Sequence, residues 1–220
     1  EIGVKPFIVP AMGSHAGATA EGQEQTPASY GITRKEMGCP VRSSMEVVEL
    51  ESEGLPHPLY MDRLAHESDG VLLINRVKLH TDFRGRYESG LVKMAVIGLG
   101  KEKQAAAIHR FGVVGLRDHV PKAAERIFAT GKILAGLAIV ENAYEDSARL
   151  ELIPADEILE REPELLEFAG RQMPRFPVDE FHLLILDRIG KDITGSGMDT
   201  NVIGRLRIIG EKEFQSPRIR

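Results

Sequence analysis

The chain has 220 residues, 42% of them hydrophobic and 28% charged, a composition typical of a globular protein and unlike that of a disordered or fibrous one. Its formal net charge of -5 and the absence of a basic block argue against nucleic acid as the main partner. The single cysteine, Cys39, excludes a disulfide scaffold and fits the cytoplasm, and every apolar stretch is far shorter than the roughly 20 residues of a membrane-spanning helix.

The first predicted element is a strand over residues 4–10, which leads into a loop of small residues that carries His15 in Gly13-Ser14-His15. Because the sequence opens on glutamate directly before this strand, with no leader, we expect the natural protein to start upstream. Residues 44–50 alternate between apolar and polar side chains, and residues 59–61 are a candidate hairpin partner for them.

The middle of the chain alternates between predicted strands and helices. The apolar run in residues 70–77 predicts a buried strand that delivers His80 just beyond its carboxyl end. Residues 90–99, which include Lys93, are apolar enough for a buried helix or strand. Helices are predicted over residues 101–111, which carry His109, and over residues 118–129.

The last third predicts a buried strand over residues 133–140, a long helix over 154–173, and a strand over 181–189 that leads into a glycine loop. This alternation favours an α/β fold with a mainly parallel sheet and helices on both faces, a three-layer, Rossmann-like architecture. Ligands of such sheets collect beyond the carboxyl ends of the strands, so the loops 13–18, 78–90 and 190–204 are the candidate binding loops.

Four residues in or near these loops carry groups suited to chemistry, but each also has a simple structural explanation. His15 and His80 could be solvated loop histidines, and His109 could be a residue of a helix surface. Lys93 could be a side chain that extends from an apolar segment to solvent, or a desolvated amine whose lowered pKa makes it nucleophilic.

Their order and spacing favour a functional role. The chain has a Gly-x-His loop at Gly13-Ser14-His15, then His80 after a buried strand, then Ser89-Gly90-Leu91-Val92-Lys93. A glycine-containing turn, Ile97-Gly98-Leu99-Gly100, follows, and His109 lies sixteen residues beyond Lys93. In these elements the sequence resembles the nickel-dependent lactate racemase family, over most of residues 1–205.

The resemblance implies a racemase or epimerase of a small 2-hydroxy acid. Lys93 would hold the nickel-pincer nucleotide, pyridinium-3,5-bisthiocarboxylic acid mononucleotide, through a thioamide, and His109 would be the protein's ligand to nickel, a metal that imidazole suits. His15 and His80 would be an acid/base pair of near-matched pKa for the hydroxyl proton, while the carbon-bound hydrogen moves as hydride.

The sequence also departs from the family's pattern. Three extra residues lie between His80 and Lys93, within residues 84–88, so we expect a loop of different shape there. Near the end, Asp199-Thr200-Asn201 resembles the family's Asp-x-Asn, but the expected glutamine and lysine are replaced by Gly204 and by Arg205 or Arg207. Either arginine could bind the carboxylate of the substrate. Backbone amides of the loop 13–19 are candidates for binding the cofactor's phosphate.

The resemblance divides the chain into a cofactor-binding domain, residues 1–177, and a hinge with the beginning of a second α/β domain, residues 178–220. Two alternatives stay open: a relative that uses the same cofactor for another hydroxy-acid reaction, and a module that binds a nucleotide or a metal without turnover. The mass of the protein distinguishes the enzyme from the binding module. An enzyme with the cofactor linked to Lys93 would show an increase in mass, and a binding module would not. The expected partner is a small hydroxy acid, with no membrane and no nucleic acid.

Overall fold

The computed structural model describes residues 3–190, 193–206 and 208–219, which form a mixed α/β fold with small sheets. Its helices are α1 (Ala20–Ser29), α2 (Arg34–Met37), α3 (Arg63–Glu67), α4 (Leu91–Lys93), α5 (Lys101–His109), α6 (Gly112–Val114), α7 (Val120–Ala129), α8 (Ile158–Gln172) and α9 (Thr200–Ile203). The strands are β1 (Val47–Leu50), β2 (Leu59–Asp62), β3 (Val71–Arg76), β4 (Ile133–Glu141), β5 (Ser147–Pro154), β6 (Glu180–Phe181) and β7 (Arg218–Ile219). A 3-10 turn covers Ala16–Ala18, and single π-helical turns follow α4 and α6, at Met94–Gly98 and Gly115–His119.

The central sheet has the strand order β3-β4-β5. β3 and β4 are parallel, which confirms that the two apolar runs predicted as strands are neighbours, and β5 pairs with β4 in the antiparallel direction. Leu73, Gly136 and Ile153 form one row across the three strands. All three residues of this row are buried, so the row marks the face of the sheet that packs against the core.

Helices pack on that buried face. Gly136 leaves room for them, because a Cβ atom built there would lie 2.5 Å from a side-chain carbon of Leu91 and 3.2 Å from one of Ile158. Leu91 begins α4 and Ile158 begins α8, so the two helices that matter most for the candidate site meet over the middle of β4. The apolar core extends from this contact to Ile127 of α7, which is fully buried.

The opposite face of the sheet is apolar and exposed in the described residues. Leu72 and Ile74 of β3 are 53% and 56% exposed, and Leu150 and Leu152 of β5 are 60% and 64% exposed. The three-layer arrangement with helices on both faces is therefore not confirmed. The near-continuous apolar run of β4 predicted two covered faces, as is usual for parallel strands, but the described part of the chain covers only one.

Two predicted strands are wrong. In residues 4–10 only Ile8 pairs with another segment, in a single bridge to Val41, so no strand forms. In residues 181–189 the pairing is limited to Phe181, which belongs with Glu180 to the two-residue strand β6. Leu183 and Ile185 are 73% and 77% exposed. An apolar run becomes a strand only where a neighbouring backbone supplies hydrogen bonds, and composition does not reveal that neighbour.

The remaining local predictions agree with the structure. β1 and β2 form the antiparallel hairpin expected from residues 44–61. The helices predicted around residues 101–111, 118–129 and 154–173 are α5, α7 and α8, and residues 90–99 are helical rather than extended.

Within the described ranges, no helix combines the length and the apolar character required to cross a membrane. The domain boundary between residues 1–177 and 178–220 stays a prediction. Contacts do join the two parts, because the hydroxyl of Thr200 donates to the backbone carbonyl of Thr81.

Candidate functional site

His15 lies at the start of the 3-10 turn Ala16–Ala18 with an exposed side chain. Its loop packs against the turn that joins Lys93 to His109, because the backbone N–H of Gly13 donates to the carbonyl of Gly98 over 3.2 Å. A Cβ atom at Gly98 would lie 2.7 Å from the carbonyl oxygen of Ala11. Gly98, part of the glycine-containing turn of the motif, therefore lets the His15 loop approach the segment that carries the other candidate residues.

Lys93 is the last residue of α4, and the N-terminus of this short helix is held by a carboxylate from a distant helix. Oε2 of Glu162, a fully buried residue of α8, accepts a hydrogen bond from the backbone N–H of Val92 over 2.9 Å. A Cβ atom at Gly90 would lie 2.5 Å from the same carboxylate. The glycine of the Ser-Gly-x-x-Lys motif is thus required by the capping of the helix that presents Lys93.

The pKa of Lys93 is lowered to about 8, mainly by burial. The charges of Asp82 and Glu88 oppose this shift, and the charge of Lys78 adds to it. No hydrogen bond or ion pair from the described residues holds the Nζ atom of Lys93. The amine is therefore uncharged in part near neutral pH, and it is available as a nucleophile.

Glu162 makes a testable contribution to the pH dependence of stability. Burial raises its pKa to about 7 from 4.5, so the folded state keeps a proton that the unfolded chain has already lost between these two values. The free energy of unfolding should therefore fall as pH rises from about 4.5 to 7, by up to about 3 kcal/mol. Urea unfolding at several pH values should show this slope, and Glu162→Gln should flatten it. Parallel pH profiles for the two proteins would contradict the assignment.

His80 follows β3 and is held by its own loop. Its backbone N–H donates to Oε2 of Glu88 over 2.7 Å, its Nδ1 atom accepts from the backbone N–H of Asp82 over 3.1 Å, and its ring lies 4.6 Å from that of Phe83. Burial is the main cause that lowers the pKa of His80 to about 3, followed by the charge of Lys93. At neutral pH the ring is uncharged with its proton on Nε2. A ring in this state is suited to donate a hydrogen bond from Nε2, and the acid/base role expected for His80 stays a prediction.

His109 ends α5 and is partly exposed. Its pKa is lowered by burial and then by the charges of Lys93 and His15, while His109 in turn contributes to the low pKa of His80. Charges influence one another in this way only over short distances, because solvent ions and water screen them. The structure thus brings His15, His80, Lys93 and His109 into one electrostatic neighbourhood. Their chemical roles stay predictions.

Residues 84–88, between His80 and Lys93, support His80. The guanidinium of Arg84 donates to the carbonyl oxygen of His80 over 2.7 Å, and Glu88, which is buried, accepts from His80 as described above. Tyr87 anchors the loop to α8, because its hydroxyl donates to the carbonyl of Leu159 over 2.6 Å. Arg84 and Glu88 are thus folded back on His80, and the difference in loop shape from the family stays a prediction.

The Asp199-Thr200-Asn201 motif also contacts the His80 loop. The side-chain amide of Asn201 donates a hydrogen bond to the carbonyl of His80 over 3.4 Å. The hydroxyl of Thr200 donates to the carbonyl of Thr81. Arg205 follows α9 and is half-buried, and its backbone N–H donates to the carbonyl of Thr200. Arg207, the other arginine considered for the substrate carboxylate, lies outside the described residues.

Sequence reasoning missed Lys78. Its backbone pairs with that of Ser89 in an antiparallel bridge, two positions before His80. The charge of Lys78 lowers the pKa of both His80 and Lys93. The period-2 spacing of Lys78 and His80 after a predicted strand was the signal available in the sequence.

A cavity of about 320 Å³ lies between the end of α8 and the C-terminal segment. Its walls include Leu79, Arg84 and Asn201, which flank His80, together with Phe176 and Phe214. The cavity therefore adjoins the His80 loop, but its lining does not include His15, His80, Lys93 or His109.

The donor set fits the cofactor that the family resemblance implies. No group of three or more His, Cys, Asp or Glu side chains is placed to hold a metal ion in the described parts of the chain. An unpaired amine at Lys93 could form the covalent link, and the imidazole of His109 is a suitable ligand for nickel. The amides of Gly13, His15 and Ala18 already donate within the protein, so they are not free for a phosphate.

No protein-family model matches the chain, and the search of curated proteins gives no match. The resemblance to the racemase family therefore stays a prediction from the motif residues.

Proposed function

We propose that the protein is a cytoplasmic racemase or epimerase of a small 2-hydroxy acid that works with a lysine-linked nickel-pincer nucleotide. The observation that carries the proposal is the amine of Lys93, which is half-buried, unpaired among the described residues and partly uncharged, and whose charge acts on His80 and His109. We include in the proposal that the observed sheet belongs to a three-layer, Rossmann-like domain, followed by a second α/β domain from residue 178.

Two residues would hold the cofactor. Lys93 would form the thioamide, and the imidazole of His109 would bind nickel. When bound, the cofactor would supply a hydride acceptor for the hydrogen on the carbinol carbon and would return that hydrogen to either face. Glu162 and Gly90 fix the N-terminus of α4, and this supports a fixed position for Lys93 at the other end of the same helix.

The protein's own part is to move a proton and to orient the substrate. Because Nδ1 of His80 accepts from the backbone, its Nε2–H group would donate a hydrogen bond to the reacting oxygen and stabilise negative charge there. His15, which is exposed and whose ring makes no hydrogen bond within the described residues, would accept the hydroxyl proton as the carbonyl forms. Lys78, whose charge acts on both His80 and Lys93, would bind the carboxylate of the substrate, with Arg205 as the other candidate.

Turnover in D2O tests the reaction. The full chain, produced together with the enzymes that make the cofactor, should interconvert the two stereoisomers of a 2-hydroxy acid without deuterium appearing at the carbinol carbon, since the same hydrogen leaves and returns. Chiral chromatography and mass spectrometry measure the two quantities. Exchange of that hydrogen with solvent would indicate proton abstraction from carbon instead. A loaded protein with no turnover on any 2-hydroxy acid would favour the non-catalytic binding module.

A further inference from the structure

Lys101 is a fully buried cation at the first residue of α5. Its ammonium group donates to the carbonyl of Pro10 and, over 3.2 Å, to Oε1 of Gln23, and it forms an ion pair of 3.2 Å with Oδ2 of Asp62. These three partners come from the segment before the His15 loop, from α1 and from β2. One ammonium group therefore ties three separate parts of the chain to the beginning of α5.

Gln23 extends this connection to His15 itself. Its side chain is fully buried, and its amide nitrogen donates to the carbonyl of Gly13 over 2.8 Å and to that of His15 over 3.3 Å. Since its oxygen accepts from Lys101, the amide of Gln23 has a fixed orientation. The His15 loop is thus held at its start through Pro10 and at its centre through Gln23.

The backbone of Lys101 is also unusual. Its φ angle is +55°, in the left-handed region that a lysine rarely adopts. Ala16 and Ala18, which follow His15, also have positive φ angles. A buried ion pair contributes little net stability compared with apolar packing, so stability alone does not account for a strained, buried lysine at this place.

We infer that Lys101 and Gln23 are positioning residues, which fix the His15 loop relative to the helix that ends in His109. Lys101 and His109 are the first and last residues of α5, so a loop held by Lys101 keeps a constant distance from the other end of a rigid helix. The inference rests on the proposed function only for the roles of the two histidines; the geometry stands without it.

Gln23→Met tests the inference, with Gln104→Met as the matched control. Both glutamines are fully buried, but Gln104 is on α5 and its Oε1 accepts from the backbone N–H of Tyr60 over 2.7 Å, in the β1–β2 hairpin. Gln23→Met should speed the hydrogen exchange of the amides of Gly13, His15 and Ala18 by about 10-fold or more. It should also speed the carbethoxylation of His15, whereas Gln104→Met should leave both rates unchanged and affect the hairpin.

Gln23→Glu keeps an acceptor for Lys101 but removes the donor to His15, so it should give the same loop response if the methionine variant does not fold. Equal exchange in the loop for Gln23 and Gln104 variants would overturn the inference. Neither readout needs cofactor or turnover, so a negative result here is distinct from a failure of the proposed reaction, which is measured on the wild-type chain. In the loaded enzyme, Gln23→Met should lower kcat while nickel content stays the same.

Discussion

Lys93→Ala is expected to abolish the covalent attachment of the cofactor and, with it, all turnover. The thioamide needs an amine that is uncharged often enough to react, and burial brings the pKa of Lys93 down to about 8. Intact mass spectrometry of protein produced together with the cofactor-synthesis enzymes should show the added mass on the wild-type chain and no added mass on the variant. Circular dichroism should show an unchanged fold.

Two further variants make this result specific. Lys93→Arg keeps the positive charge but has no amine, so it should also lack the added mass. Lys78 is the nearby alternative amine, and burial lowers its pKa as well. Lys78→Ala should therefore keep the added mass and raise KM for the hydroxy acid, since this lysine is assigned to the carboxylate. Added mass on the Lys93→Ala protein would place the attachment elsewhere and would remove the main support for the proposed enzyme.

The sequence predicts the local frame of the site well. Periodicity located α5, α7 and α8, the hairpin β1–β2, and the parallel pair β3–β4 that sets His80 at a strand end. The sixteen positions from Lys93 to His109 cover the end of α4, a π-helical turn and α5, and a turn with a φ of +55° at Lys101 interrupts them, so their spacing indicates closeness only because both ends belong to neighbouring helical elements. Predictions of this kind succeed when the determining contacts are local.

What the sequence did not predict depends on contacts between distant segments. Glu162 caps the helix of Lys93 from about seventy positions away in the chain, and Lys101 reaches Pro10 and Gln23 across a similar separation. No periodicity or motif marks such partners. The antiparallel pairing of β5 and the exposed face of the central sheet were not predicted for the same reason. The partner of a strand and the elements that cover a sheet depend on contacts throughout the fold.

The state of His80 was also beyond reach from sequence. Its tautomer follows from one backbone N–H group, that of Asp82, and its low pKa follows from burial and from Lys93, Arg84 and Lys78. A histidine in a loop predicts titration near neutrality unless such neighbours are known. The two histidines of the proposed site therefore differ in a way that mutation can separate.

His15→Ala and His80→Ala should each lower kcat by about 10²-fold or more while the cofactor and nickel stay bound, as expected for loss of a positioned proton acceptor or donor. The glutamine variants at the two positions should differ from each other in activity. Gln at position 80 places an amide N–H group near the position of Nε2, so His80→Gln should recover part of the lost activity. Gln at position 15 has no group that accepts a proton near neutral pH, so His15→Gln should be as inactive as His15→Ala.

Burial, the largest cause of the low pKa of His80, remains when Lys93 is linked to the cofactor, so this ring should stay uncharged near neutral pH and add no acidic limb to the pH profile of kcat there. The pH profile of kcat should therefore keep the same shape in His80→Gln as in the wild-type enzyme. Steady-state rates from pH 5 to pH 9 on cofactor-loaded protein measure this. If His15→Gln recovered activity and His80→Gln did not, the two roles would be exchanged. Normal turnover in either alanine variant would mean that the proton chemistry lies on other residues, and that the motif supports a shared fold rather than a shared reaction.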